Sequence, residues 1–234
     1  FLHAIFEEQG SKTLASKEFK AFVASNEEWL RPYAVFCALR DEKHTPDFST
    51  WGTWAKYTKA KAAKYEREHP MDVAYHYFVQ YHLSRQLRDA RDYAHSKGVV
   101  LKGDIPIGIS RTSVDAWVYP ELFNMDSSAG APPDDFSVMG QNWGFPTYNW
   151  AKMAEDGYDW WRRRLQKMAR YFDAYRIDHI LGFFRIWEIP MWTKSGLNGY
   201  FNPALPFPAH ELQSQGFDVN DFDLFLQDPR QEGH

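Results

Sequence analysis

The sequence predicts an α/β fold with a parallel sheet, and two stretches carry that expectation. Residues 73–97 read as a long amphipathic helix, with Leu83, Leu87, Ala90 and Ala94 at i, i+4, i+7 and i+11. Gly98 stands where a helix closing in a left-handed turn needs it. A β-type run then opens at Val99-Val100-Leu101 and reaches Gly103-Asp104-Ile105-Pro106. The same order returns downstream. Trp161, Leu165, Met168 and Phe172 mark one face of a helix over 159–173, and 174–178 is the strand after it. Helix running into strand, twice, is the pattern of βα units, whose crossovers set strands in parallel.

The other elements are placed around these two units. Residues 12–69 read as mostly helical. One helix opens over 17–22, and a second covers 27–40 with Trp29, Tyr33, Phe36 and Cys37 at helical spacing. Pro32 is expected in the first turn of that second helix, because an interior proline removes a backbone donor. The turn His44-Thr45-Pro46-Asp47 precedes a third helix near 51–69, closed by Pro70. Between the two strands lie a short helix near 113–123 and a stretch, 125–150, without clear periodicity. An irregular segment of that length reads as a functional loop or lid. Residues 191–234, with Pro203, Pro206, Pro208 and Pro229, read as an extension. The chain of 234 residues starts at Phe1 and its last residues complete no element, so a piece of a longer protein is expected.

Composition narrows the chemistry. A net charge of −4 gives no broad attraction to nucleic acid or an anionic membrane, and no apolar run approaches a membrane span. The single cysteine, Cys37, excludes an internal disulfide and permits a reducing compartment. Aromatic residues reach 18%, which fills cores first and favours carbohydrate, whose rings stack on aromatic faces, second. The nine histidines are scattered without metal-ligand spacing, so no metal is expected, and no phosphate loop or Gly-x-Ser-x-Gly is present.

Arg176 and Asp178 are two apart on a predicted strand, so their side chains share a side. A cation there keeps the carboxylate ionised and oriented, as a nucleophile requires. The alternative is a strand-end aspartate that caps the next helix, with Arg176 as its structural ion-pair partner. Asp104 ends the other strand in the same way, as a site carboxylate or as a turn residue before Pro106. His179 suits donation to a substrate hydroxyl or a structural contact. Glu188 is a further carboxylate, with a supporting or core role equally open.

Four ordered motifs then bear a resemblance. Lys102-Gly103-Asp104-Ile105-Pro106-Ile107-Gly108, Ala131-Pro132-Pro133-Asp134, Gly140-Gln141-Asn142-Trp143-Gly144-Phe145-Pro146-Thr147-Tyr148 and Tyr175-Arg176-Ile177-Asp178-His179-Ile180-Leu181-Gly182-Phe183 resemble the 4-α-glucanotransferases, the amylomaltases or disproportionating enzymes of glycoside hydrolase family 77. The wording is nearest the plant cytosolic branch, and the match runs over about 72–190.

The resemblance implies part of a (β/α)8 TIM barrel with an inserted helical subdomain. Residues 1–71 would be that subdomain, 72–190 a barrel segment with its active-site loop at 125–150, and 191–234 an incomplete extension. It implies a retaining transferase acting on maltose, malto-oligosaccharides or glucan in the cytoplasm, without cofactor. Asp178 matches the nucleophile and Arg176 its supporting arginine. Asp104, His179, Asp134, Gln141 and Trp143 match substrate-binding positions. Asp135 stands where the family usually has an aromatic after Pro-Pro-Asp. The family's acid/base glutamate motif and its third carboxylate motif are absent, so the segment alone is expected to be inactive. A non-catalytic α-glucan-binding protein and a hydrolase of the α-amylase group are the competing expectations.

Overall fold

A computed structural model describes residues 1–204, 209–216 and 218. Four helices come first: α1 (Leu2–Ala15), α2 (Lys17–Lys43), α3 (Lys59–Glu68) and α4 (Pro70–Ser96). Ser16 separates the first two and caps the second, its Oγ accepting from Phe19 N at 3.2 Å. The expected helices over 17–22 and 27–40 are one continuous helix, and Pro32 lies in its interior rather than in a first turn. An interior proline costs about 3 kcal/mol. Here it is offset by an apolar face on which Leu30, Ala34, Val35 and Leu39 are wholly buried.

The third helix is shorter than expected. Residues 51–58 contain a 3-10 turn at Gly52–Trp54, and α3 begins only after Thr58, whose Oγ1 accepts from Lys61 N at 3.1 Å. Gly52, at φ +60°, breaks the run. Pro70 occupies the first turn of α4, where its missing N–H is harmless, so it opens one helix as well as closing another. The helical core joins Leu30, Val35, Leu39, Tyr65, Val73 and Tyr77. No described helix is long and apolar enough to cross a membrane.

Gly98 sits at φ +71°, as the αL turn after α4 requires. The strand β1 then covers Lys102–Ile105 only, shorter than the β-type run expected from 99 onward; Val99 and Val100 precede it and are exposed. β6 (Ala174–Ile177) lies beside β1 in parallel, with Gly103 opposite Tyr175 and Asp104 opposite Arg176. Both predicted strands therefore exist and pair as expected. The helix before β6, α7 (Asp159–Met168), stops short of 173, because the chain turns there to let Asp173 N donate to Leu101 O at 2.9 Å.

Between β1 and α7 come α5 (Val114–Val118), β2 (Phe123–Asn124), β3 (Ser127–Ala131), β4 (Gln141–Asn142), β5 (Thr147–Tyr148) and α6 (Trp150–Ala154). The stretch 125–150 is thus partly β, not an irregular loop throughout. β7 (Ile186–Pro190) and β8 (Tyr200–Asn202) complete an antiparallel sheet in the order β4-β3-β7-β8. The sequence hid it because Ser127-Ser128-Ala129-Gly130-Ala131 has no large apolar side chains to alternate, and β4 is two residues long. Within the expected extension, β8 and the short helix α8 (Ala209–Ser214) are described; Pro206, Pro208 and Pro229 lie outside the described residues. A second core, around Ile105, Phe123, Tyr148, Met153, Trp160 and Trp161, packs the β elements against α6 and α7.

Candidate active site

The parallel pairing of β1 with β6 brings three charged side chains to one end of the two strands. Arg176 Nη1 donates to Asp104 Oδ2 at 2.8 Å, and its Nη2 donates to Asp178 Oδ1 at 2.7 Å. One guanidinium thus holds two carboxylates from adjoining strands. Its hydrogen bond to Asp104, then the charges of Asp104 and Asp178, raise the Arg176 pKa above its ordinary value. All three side chains remain solvent-accessible. Asp178 N donates to Ile105 O at 3.1 Å, so the ladder runs one residue past β6 before the chain turns.

That turn is abrupt. His179 adopts left-handed backbone angles, φ 48° and ψ 58°, a region that a non-glycine residue enters at a cost. His179 O accepts from Gly182 N at 2.8 Å, closing a 3-10 turn over Ile180–Phe183. The turn sets the His179 ring edge-on to the Trp143 indole, 4.9 Å between centroids. Trp143 in turn stacks on Phe145 at 5.8 Å and 24°, and its Nε1 donates to Gln141 Oε1 at 3.0 Å. Phe145 lies so close to Gly108 that a Cβ there would fall 2.1 Å from its ring. Glycine is required at 108 for that approach.

These contacts border a cleft of about 490 Å³ with Pro106, Ile107 and Gly108 on one side and Trp143, Gly144 and Phe145 on the other; Asp178 also lines it. The volume is in the usual range for a small-ligand site. A larger groove of about 1210 Å³, bordered by Lys12, Phe22, Tyr81, Arg85 and Arg170, contains none of the predicted site residues. Chemically, the cleft offers a carboxylate held by a cation and an aromatic wall for a sugar face, with an imidazole against that wall.

Asp104, Arg176 and Asp178 therefore come together, and Gln141, Trp143 and His179 form a second group. Asp134 joins neither: its Oδ1 accepts from Phe136 N at 3.0 Å and Ser137 N at 2.7 Å, closing its own exposed turn. Glu188 is buried on β7, accepting from Thr147 Oγ1 at 2.8 Å, Asn202 Nδ2 at 3.0 Å and the Tyr200 hydroxyl at 3.2 Å. It ties β5 and β8 to β7. Sequence reasoning missed Arg111, which lines the cleft and donates to Gly144 O at 2.9 Å and Met125 O at 2.8 Å. The available signal was a lone cation in Ser110-Arg111-Thr112-Ser113, just beyond a strand end. Among the described residues, no three His, Cys, Asp or Glu side chains are grouped to hold a metal ion.

The profile of glycoside hydrolase family 77, described as 4-alpha-glucanotransferase, matches residues 1–214. The chain belongs to this family. Relatives within it include the 4-alpha-glucanotransferase DPE2 of Oryza sativa subsp. japonica, 54% identical over 94% of this chain and 23% of its own length. The 4-alpha-glucanotransferase of Chlamydia muridarum (strain MoPn / Nigg) is 34% identical over 94% of this chain and 40% of its own. The chain thus spans well under half the length of these 4-alpha-glucanotransferases. Among solved structures, an amylomaltase from Streptococcus agalactiae in complex with acarbose superposes with a TM-score of 0.77 at 30% identity, over 90% of this chain and 44% of that one. An amylomaltase from Corynebacterium glutamicum shares the fold at a TM-score of 0.66 and 24% identity, over 91% of this chain and 28% of that one.

Proposed function

We propose that the protein is a retaining 4-alpha-glucanotransferase that moves glucosyl or maltosyl units between α-1,4-glucans, and that Asp178 is its nucleophile. The observation that carries the reading is the Arg176 guanidinium bound to both Asp178 and Asp104 beside an aromatic cleft. Family membership supports the reaction class. In the first step a carboxylate oxygen of Asp178 bonds to the anomeric carbon while the glycosidic C–O bond breaks. A carboxylic acid gives the departing 4-oxygen its proton. In the second step the same group, now a carboxylate, takes the proton from an acceptor 4-hydroxyl, which displaces Asp178 with overall retention.

Arg176 serves by holding Asp178 aimed through a charge-assisted hydrogen bond, and Asp104 by fixing Arg176 from the other side. Trp143, oriented by Gln141, stacks on a sugar face, and His179 supports Trp143 while donating to a sugar hydroxyl. Asp134 contributes by shaping the loop that folds over bound glucan. Retaining chemistry needs a second carboxyl about 5–5.5 Å from the first. We assign that acid/base role to a residue outside 1–234, which leaves this segment inactive by itself. In the whole protein, β1 and β6 act as neighbouring staves of a (β/α)8 barrel, with 1–71 as a helical subdomain inserted in it, 72–190 as a barrel segment and 191–234 as an incomplete extension. Starch-derived maltose and malto-oligosaccharides are the proposed substrates. A cytoplasmic setting is proposed with them, which the single free thiol of Cys37 permits.

The test is Asp178→Ala in the full-length protein, followed by product analysis from maltotriose. Transfer should fall by at least about 1,000-fold while maltose binding persists. Unchanged transfer rules out Asp178 as the nucleophile. Glucose release without longer products from the unmutated protein would favour a hydrolase instead.

A further inference from the structure

Two short segments line the cleft, 106–111 and 143–145, and they touch where Phe145 packs on Gly108. The second is fastened to β3 by only two backbone bonds, Ala129 N to Phe145 O at 2.8 Å and Trp143 N to Ala129 O at 3.0 Å. Between those fastenings lies Gly144, at φ +78°, with open space where a side chain would be. Nothing in local backbone preference holds such a glycine in place. Asn142 Oδ1 accepts from Gly144 N at 3.0 Å, and Arg111 restrains the carbonyl of the same glycine from the opposite segment. The Arg111 Nε donates to Gly144 O at 2.9 Å, so one side chain joins both walls.

The rest of the guanidinium is anchored just as firmly. Nη1 donates to Met125 O at 2.8 Å, and Nη2 donates to Ser127 O and to Ser128 Oγ, the latter at 2.9 Å. Burial holds its pKa below the ordinary arginine value, with the charge of Asp126 acting the other way. A half-buried cation satisfied by main-chain carbonyls has its geometry set by those carbonyls. Three nitrogens of one guanidinium reach four acceptors here, which suits a five-donor fork and not the point charge of an ammonium.

We infer that Arg111 is the positioning residue that sets the width of the cleft, holding Trp143 and Phe145 at the distance from Asp178 at which a sugar ring fits and water is excluded. The inference rests on the proposed transferase reading of the same cleft. It assigns Arg111 no contact with the reacting atoms, so it predicts weaker sugar binding and leakage to water before any loss of chemistry.

The experiment compares wild type, Arg111→Lys, Ser128→Ala and Asp178→Ala in the full-length protein with maltoheptaose as the probe. Arg111→Lys should raise KM about tenfold, lower kcat less than about threefold, and increase the ratio of hydrolysis to transfer about fivefold. A purely structural arginine would reduce the melting temperature and the yield of active enzyme while leaving KM and the product ratio unchanged; that result overturns the inference. Should Arg111→Lys fail to fold, Ser128→Ala removes one acceptor only, and a KM rise of about twofold is expected. Unchanged KM there is equally fatal to it. Asp178→Ala separates the two claims. If it abolishes transfer while Arg111→Lys keeps wild-type KM and products, only the role of Arg111 falls; if it leaves transfer intact, the reading of the cleft falls too.

Discussion

The helices over residues 2–96 bury Leu30, Ala34, Val35, Leu39 and Val73 completely, whereas the strand carrying Arg176 leaves Ala174, Arg176 and Ile177 open to solvent. The helical part is held by continuous apolar faces, with α2 and α4 each 27 residues long. The part around the cleft has a smaller apolar core around Ile105, Met153 and Trp161, and its strands of two to five residues depend as well on side-chain hydrogen bonds and one buried carboxylate. Stability and reactivity are therefore concentrated in different places. A side chain such as Asp178 has to be reached by substrate, so it cannot be covered as Leu30 is, and its orientation must come from a charged neighbour instead.

That contrast can be broken most directly in the helical core. Leu30→Ala should cost about 3 kcal/mol of unfolding free energy, read by urea denaturation, because a wholly buried leucine leaves a cavity the long helices cannot close. A loss under about 1 kcal/mol would mean the helices are not the stable half. Next comes Glu188→Leu, which abandons three donors in a buried site and should cost about 2 kcal/mol. An unchanged midpoint would show that the antiparallel sheet does not depend on it.

Trp143→Ala tests the other half. Maltoheptaose binding to the full-length protein should weaken about tenfold, equivalent to about 1.4 kcal/mol of stacking, with the melting temperature little changed. Equal affinity would remove the aromatic wall from the sugar site. The smallest effect is expected at Lys167, between the two halves, where Trp29 faces the ammonium at 4.7 Å. Burial, then the charge of Arg170, lower its pKa to about 8 from 10.5. With the folded value below the unfolded one, the unfolded state binds more protons between those values, so this group makes stability rise with pH across that window. Lys167→Met should flatten that rise, by about 1 kcal/mol after allowance for solvent screening, in melts between pH 7.5 and 10.5.

How much of this was legible depended on the carrier of each signal. Gly98 and the apolar face of α7 announced two helix-to-strand units, because helical periodicity and the αL turn are properties of nearby residues. Pro32 misled, since the burial that outweighs its missing donor comes from α3 and α4. The β3–β7 pairing was invisible because its small residues show no alternation and its partner lies some 60 positions away, Ser128 opposite Ile189.

For the site, the sequence by itself determined that Arg176 and Asp178 share one side of a strand, since the two-residue repeat of extended backbone demands it. It also carried the motifs by which the family was recognised. Only the tertiary structure decided that Asp104 stands opposite Arg176, that Trp143 meets His179, and that Arg111 joins both walls of the cleft. Those relations come from pairing and packing between residues 33 to 72 positions apart. Their physical cause is satisfaction of charge and backbone polarity across the fold, which no local pattern encodes.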